Sequence, residues 1–365
     1  VQVGFAATAG TSYRVTGAGD HVYVSDLSAL RIFDVSDPAT CWEIASITAN
    51  GQLYGATVAS DRLYVADGVH GVRLFDVSDP AQPQQLHAMG TPDAATSVTL
   101  HGDHAFVSDR ASGVQVIKVR CGFAPIALDL VKGEDSSSES RSYRDVAVDG
   151  DLAVVLQAGT DGFFYASAEL VVYDLQSPTA AVRLGALELY GGFGRDVVID
   201  GDVAYVITTD NVYAIDIADP TAPAQLCELV VDLDTLLGIV AAGDHLYAIT
   251  DETGLVVIDA SDPTALSLAT QWTGIPGGGR LVLAGDRLLV TDGDNGLYIL
   301  DVSSPTAPVL AGGYAPGLPV WSAAVAGDVA YLAGDRLWVV DITDPGGCTL
   351  LAECPDVGAA QVVCD

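Results

Sequence analysis

The chain has 365 residues, 50% of them hydrophobic and 17% charged, which is enough apolar material for one large core or two smaller ones and too much for disorder. Gly, Asp and Pro interrupt the sequence every few positions, so no apolar run approaches the roughly 18–20 residues of a membrane-spanning helix. Against 48 acidic residues stand 15 basic ones, a net charge of −33 that repels phosphate backbones and anionic lipid and argues against nucleic-acid partners and membrane insertion.

The sequence starts at Val1 and holds a single methionine, Met89, which fits either a processed mature form whose signal peptide has been removed or a trimmed chain. Six cysteines (Cys41, Cys121, Cys227, Cys348, Cys354 and Cys364) include no C-x-x-C pair, so zinc-ribbon and thioredoxin-like readings have no basis. Disulfides in an extracellular or cell-surface protein, with the periplasm as alternative, fit better.

Along the chain one turn recurs: Gly19-Asp20, Ser60-Asp61, Gly102-Asp103, Gly150-Asp151, Gly201-Asp202, Gly243-Asp244, Gly285-Asp286 and Gly327-Asp328. These eight copies lie about 42 residues apart, stretched between the third and fifth, and such a period marks a repeat architecture. Behind most turns follows an apolar strand ending in an Asp-Pro or Ser-Pro turn: RIFDVSDP (Arg31 to Pro38), RLFDVSDP (Arg73 to Pro80), YAIDIADP (Tyr213 to Pro220), VVIDASDP (Val256 to Pro263), YILDVSSP (Tyr298 to Pro305) and WVVDITDP (Trp338 to Pro345). The fourth copy reads VVYDLQSP to Pro178, and the third departs, with VQVIKVRC (Val114 to Cys121) and no proline.

Each unit is thus predicted as four strands: one into the Gly-Asp turn, one behind it such as Val22 to Ser25, the apolar third, and a variable outer strand such as Pro83 to Met89. A four-stranded sheet cannot hide both faces alone, but a ring of such sheets buries them all. The expected fold is all-β: an eight-bladed β-propeller of four-stranded antiparallel blades, one domain over 1–365, with 1–12 and 355–365 closing the ring. Seven blades plus a terminal extension is the alternative. Cys354 and Cys364 flank a hairpin at Pro355 to Gly358, and Cys41 and Cys348 fall in the same slot of blades 1 and 8, so a disulfide near the closure is expected with its pairing open.

The repeated ending L/V-x-V/I-x-D-V/I-S-D-P resembles the LVIVD repeat of bacterial and archaeal surface proteins, over about Tyr13 to Cys354. The resemblance implies a β-propeller on an exported or cell-surface protein and brings no shared catalytic residue set. The Arg-Asp pair usual in that family before the first strand stands here at Arg144-Asp145 and Arg195-Asp196 and is replaced elsewhere.

Most aspartates occupy fixed turn slots, where the side chain accepts backbone N–H groups two residues on, and they are read as structural. Asp292-Gly293-Asp294-Asn295-Gly296 has the alternating oxygens of a calcium-loop beginning, with Asp292 and Asp294 as ligands, but lacks the bidentate acid at the twelfth position, where Ser303 stands. A tight hairpin turn is the stronger reading of that segment, and calcium is the single cofactor the sequence offers.

No nucleophile elbow, zincin, P-loop or dinucleotide motif occurs. Candidate contact residues come from topology instead. Loops between blades and between second and third strands share one side of a propeller, and the insertions Lys132 to Ser142 and Gln157 to Glu169 both fall there. The slots before the first strands hold Arg14, Tyr54, Arg144, Arg195, Arg280 and Trp321, an Arg and aromatic set suited to an anion, a carboxylated sugar or a peptide. The competing reading ties blades together, Arg195 pairing with Asp145. Phe163, Phe164 and Tyr165 in the blade 4 insertion form a second contact set, with Tyr190 and Phe193 in the next link. The expected function is a secreted or cell-surface module that binds a protein or glycan. The alternatives are a lyase or hydrolase acting on an anionic substrate through Asp145 and Asp196, or a subunit of an extracellular assembly or homo-oligomer.

Overall fold

The computed structural model describes residues 14–37, 41–101, 104–109, 114–118, 126–131, 142–160, 166–174, 182–231, 235–275, 278–334 and 336–354. They form antiparallel sheets of consecutive strands, seven with four strands and one with three, and no α-helix occurs among the described residues. Blade 5 is typical: Gly194–Asp200, Val203–Thr208, Asn211–Asp216 and Ala224–Val230. The three-stranded sheet is blade 1, whose long strand His21–Asp34 does the work of two. Its first half pairs with Arg14–Ala18 and its second with Trp42–Leu53, and Asp26 Oδ1 accepts the Ser28 and Ala29 N–H groups at the bend between. Eight blades form, so the eight-bladed β-propeller is the fold and the seven-blade alternative is not.

By packing, the chain divides into two compact units, one of Val1–Gly90, Leu289–Leu300 and Leu310–Asp365, the other of Thr91–Leu288 and Asp301–Val309. In the first unit blade 1 packs on blade 2 through Leu30, Ile32, Leu63, Val65 and Phe75. Blade 8 packs on blade 1 through Val22, Val24, Phe33, Tyr331, Leu337 and Val339. The last blade thus seats on the first by face packing, each made of its own consecutive strands. The segments 1–12 and 355–365, expected to close the ring, lie outside the described residues. In the second unit blades 3 to 6 bury Phe106 against Val155, Leu156 and Leu170 against Val206, and Ile207 and Val212 against Leu246 and Val256. First strands of successive blades contact one another within each unit, which makes the first strand the inner one.

Turn chemistry follows the repeat. The residue opening the Gly-Asp turn has a left-handed φ of 58° at Gly19, 57° at Gly201 and 59° at Gly327. Ser60 fills the same slot at 51° and is the single non-glycine with positive φ among the described residues. A side chain there costs roughly 1–2 kcal/mol, partly offset by its lower chain entropy when unfolded. Ser60→Gly is therefore expected to stabilise the protein by about 0.5–1 kcal/mol, read as a higher urea midpoint at unchanged m-value. The following Asp carbonyl accepts from the start of the Asp-Pro turn, as in Asp20 from Val35 (2.8 Å) and Asp202 from Ile217 (2.9 Å). Asp34, Asp259 and Asp341 accept the N–H two residues on at 2.8–3.0 Å, the structural role expected of them.

Two expectations about cysteines and loops change. Cys348 is a free thiol, as is Cys227, so no Cys41–Cys348 disulfide forms. Its sulfur lies 3.2 Å from the Pro345 carbonyl oxygen, and burial pushes its pKa up. The blade 4 segment Gln157 to Glu169 is mostly strand rather than loop: Leu152–Thr160 pairs with Ala166–Asp174 up to Thr160 opposite Ala166. Alternating polar and apolar residues let the hairpin run on beyond the blade's usual edge. Phe163, Phe164 and Tyr165 at its tip lie outside the described residues.

Candidate functional site

The inner strands carry a feature that the sequence does not announce. Register slips by one residue between Tyr143 and Asp145, Gly194 and Asp196, Leu236 and Gly238, and Val320 and Ser322. Each slip is a β-bulge that expels one residue from the ladder and re-aims it. The expelled residues are Arg144, Arg195, Leu237 and Trp321, three of which were singled out as contact residues. Arg195 is exposed and forms no ion pair with a described residue, and the Trp321 side chain is 44% exposed, lying over Gly293. The Arg144 side chain lies outside the described ones.

The next residue has the opposite fate. Asp145 and Asp196 point at the following blade: Asp145 Oδ2 accepts from Val197 N–H (3.3 Å), and Asp196 accepts from Val197 N–H (3.0 Å) and Ile239 N–H (3.0 Å). Asp196 also lies against the Asp145 carboxyl, within hydrogen-bonding reach of it. Burial first, then the neighbouring Asp196, raises the Asp145 pKa well above the carboxylate range. The expected Arg195–Asp145 ion pair is therefore replaced by a carboxyl pair, because the bulge turns Arg195 out while Asp145 and Asp196 turn in. Arg14 and Arg280 occupy the slot of these aspartates rather than that of Arg195. Tyr54 donates from its hydroxyl to Gln52 Oε1 at 2.6 Å.

Asp292 is buried, and the loop itself takes up its oxygens: Oδ1 accepts from Asp294 N–H (3.0 Å), and Oδ2 accepts from the Asn295 side-chain amide (2.8 Å). The segment is a tight turn, and among the described residues no three His, Cys, Asp or Glu side chains gather as a metal group.

The most developed surface belongs to the link between blades 4 and 5. Its carbonyls are held by the blade 5 hairpin: Tyr190 O by the Tyr213 hydroxyl, Gly191 O by Thr208 Oγ1 (2.7 Å), and Phe193 O by Thr209 N–H (3.0 Å). Asn211 donates to Glu228 (2.6 Å) and to the Tyr213 oxygen (3.0 Å), completing a buried polar network. Burial foremost, with Glu228 adding repulsion, pushes the Tyr213 pKa up to about 12, so the hydroxyl stays a donor. Gly191 and Gly192 take φ of 116° and 111°, which side chains rarely adopt, and an added Cβ would meet Asn211 or Thr209. The backbone is fixed while Tyr190 and Phe193 are left 66% and 38% exposed.

One constellation escaped the sequence reading. The residue closing the second strand is a fully buried aspartate in blades 1 to 3: Asp26, Asp67 and Asp109. Arg31 pairs with Asp26 at 2.9 Å and Arg73 with Asp67 at 2.8 Å, whereas blade 3 has Gln115, 3.4 Å from Asp109. The signal was the Asp at one repeat slot, five or six residues before an Arg on the third strand.

The family model described as LVIVD repeat matches residues 9–48, 57–88, 191–228, 237–273, 279–315 and 319–355. It leaves out blades 3 and 4, so the match is narrower than the continuous stretch from Tyr13 to Cys354 expected from the motif. No curated protein matches the sequence. Among solved structures, the computationally designed Ika8 protein aligns with TM-score 0.73 at 8% identity, over 96% of this chain and 98% of its own. Sqt1 of Saccharomyces cerevisiae gives 0.72 at 12% identity, over 97% and 99%. BamB from Moraxella catarrhalis gives 0.62 at 11%, over 95% of both chains. At such identities the likeness speaks for the fold alone.

Proposed function

The chain belongs to the LVIVD-repeat family, and from that premise we propose that it is an exported or cell-surface binding module, which holds a protein or glycan partner on the loop-bearing side of blades 4 and 5. The observation that carries this reading is the rigid display of Tyr190 and Phe193. A link with three carbonyls bonded by the next hairpin, left with two exposed aromatics, presents contact area at little entropic cost on binding. Exposed Arg195 follows directly and offers a planar donor fork to a carboxylate. The repeats that keep the family pattern serve the scaffold, and those that leave it, blades 3 and 4, carry the insertions. Six cysteines without a C-x-x-C pair support export.

The test places a photo-crosslinking phenylalanine analogue at position 190 and exposes the folded protein to the surface fraction of its source organism. A discrete adduct is expected, lost when Phe193→Ala and Arg195→Ala are added while the melting temperature holds. An adduct pattern indifferent to those substitutions would refute the site. A second reading, acid–base chemistry on an anionic substrate, is favoured by the raised Asp145 carboxyl. Under that reading, Asp145→Asn would abolish turnover of acidic polysaccharides.

A further inference from the structure

Blades 1 to 3 provide an internal comparison at the aspartate that closes the second strand. In blade 2, Asp67 is fully served: Oδ1 accepts from Gly51 N–H (3.0 Å), Oδ2 accepts from Asn50 N–H (3.1 Å), and Arg73 supplies the counter-charge at 2.8 Å. Blade 1 meets the same need with Arg31. In blade 3 two replacements undo this. Pro92 stands where blade 2 has Asn50, and proline has no N–H to give. Gln115 stands where blade 2 has Arg73, and an amide carries no charge.

Asp109 is left with Asp93 N–H at 3.1 Å and the Gln115 amide at 3.4 Å, both on Oδ2. Oδ1 is buried without any hydrogen-bond partner, in a residue with no solvent exposure. Beside it the Thr91 hydroxyl is also buried with no hydrogen bond of good geometry, close enough to the Asp109 carboxyl to favour its charge, and the Asp93 carboxylate adds a second negative charge. A buried carboxylate with a bare oxygen and no counter-charge is strongly disfavoured. Blades 1 and 2 meet the need with a guanidinium, and in blade 7 the same slot, Asp292, has both oxygens bonded by its own turn; blade 3 has neither.

We propose that blade 3 binds a calcium ion at Asp109 Oδ1, with the Thr91 hydroxyl, the Asp93 carboxylate and water as its other oxygens, in the electrostatic role that Arg31 and Arg73 play in blades 1 and 2. The donors are all hard oxygens. Calcium accepts irregular oxygen sets completed by water, whereas magnesium requires a near-ideal octahedron. The net charge of −33 concentrates divalent cations around the chain. With two carboxylates the affinity falls in the range of extracellular modules, a Kd of about 10⁻⁴–10⁻³ M. This site is separate from the Tyr190 surface and does not depend on it.

The experiment measures the melting temperature of the whole chain in about 0.15 M salt, which screens loose surface binding, with a chelator or with about 10 mM calcium. The wild type is expected to melt about 2–4 °C higher with calcium and little changed with magnesium. Gln115→Arg supplies the missing guanidinium, so it should melt higher than wild type in chelator and gain nothing from calcium. Asp109→Asn should also lose the response. No calcium shift in the wild type, or an equal shift in Gln115→Arg and Asp109→Asn, overturns the proposal. So does a wild type indifferent to calcium but stabilised by acid in an Asp109-dependent way, which would make a proton the counter-charge.

Discussion

Arg73→Ala is expected to destabilise the protein by about 3–5 kcal/mol, the cost of leaving a buried charge without its partner. Asp67 is wholly buried and Arg73 nearly so, and the Arg73 guanidinium also donates to the Thr48 carbonyl at 2.9 Å and lies over the Phe75 ring at 5.3 Å. Burial lowers the Arg73 pKa while Asp67 works to raise it, and the guanidinium stays charged. Removal of the arginine strands the Asp67 carboxylate that also holds the link into blade 2. Urea unfolding gives the measurement, and Arg62→Ala gives the contrast: the Arg62–Asp76 pair has the same 2.8 Å separation but is open to solvent. Its loss should cost under about 1 kcal/mol. Equal effects of the two substitutions would contradict the burial argument.

The second large effect is in pH dependence, with Asp145→Asn as its reporter. Asp145 has a folded-state pKa raised far above its unfolded one, so the folded protein holds a proton that the unfolded chain releases. Its stability contribution is full below the unfolded pKa of about 3.9 and is lost as pH rises through the raised folded value. The Asx-turn carboxylates act in the opposite sense. Asp34, Asp259 and Asp301 are depressed by serine hydroxyl and N–H donors, so their contribution is present above about 3.9 and lost as pH falls through their folded values. Wild-type stability should therefore peak on the mildly acidic side. Asparagine at 145 keeps an acceptor for Val197 and gives Asp196 an N–H with no proton to lose. The variant is expected to retain its melting temperature from mildly acidic to alkaline pH while the wild type declines. Parallel decline of both would assign the loss to general charge repulsion instead.

The ring of blades was legible because its cause is periodic: Gly-Asp and Asp-Pro turns recur at fixed spacing, and turn residues act through their own backbone. The inner residues were legible as positions but not as directions. A bulge adds one residue without changing composition, so Arg195 and Asp196 look alike in sequence and face opposite ways in the fold. The Tyr213 network was invisible because it joins Tyr190 to a hydroxyl on the next blade, and only strand pairing brings them together. Asp109 lay between these extremes. Its slot is plain once blades are aligned, but its isolation depends on Pro92 and Gln115, neither of which is unusual on its own.

Every described blade keeps its strands in unbroken succession, and among the described residues blade 8 meets blade 1 through packed side chains. Heredity can therefore treat a blade as a single cassette: duplication or deletion of one contiguous stretch of gene adds or removes a complete wedge. A lineage can therefore alter blades 3 and 4 while leaving the others as they were.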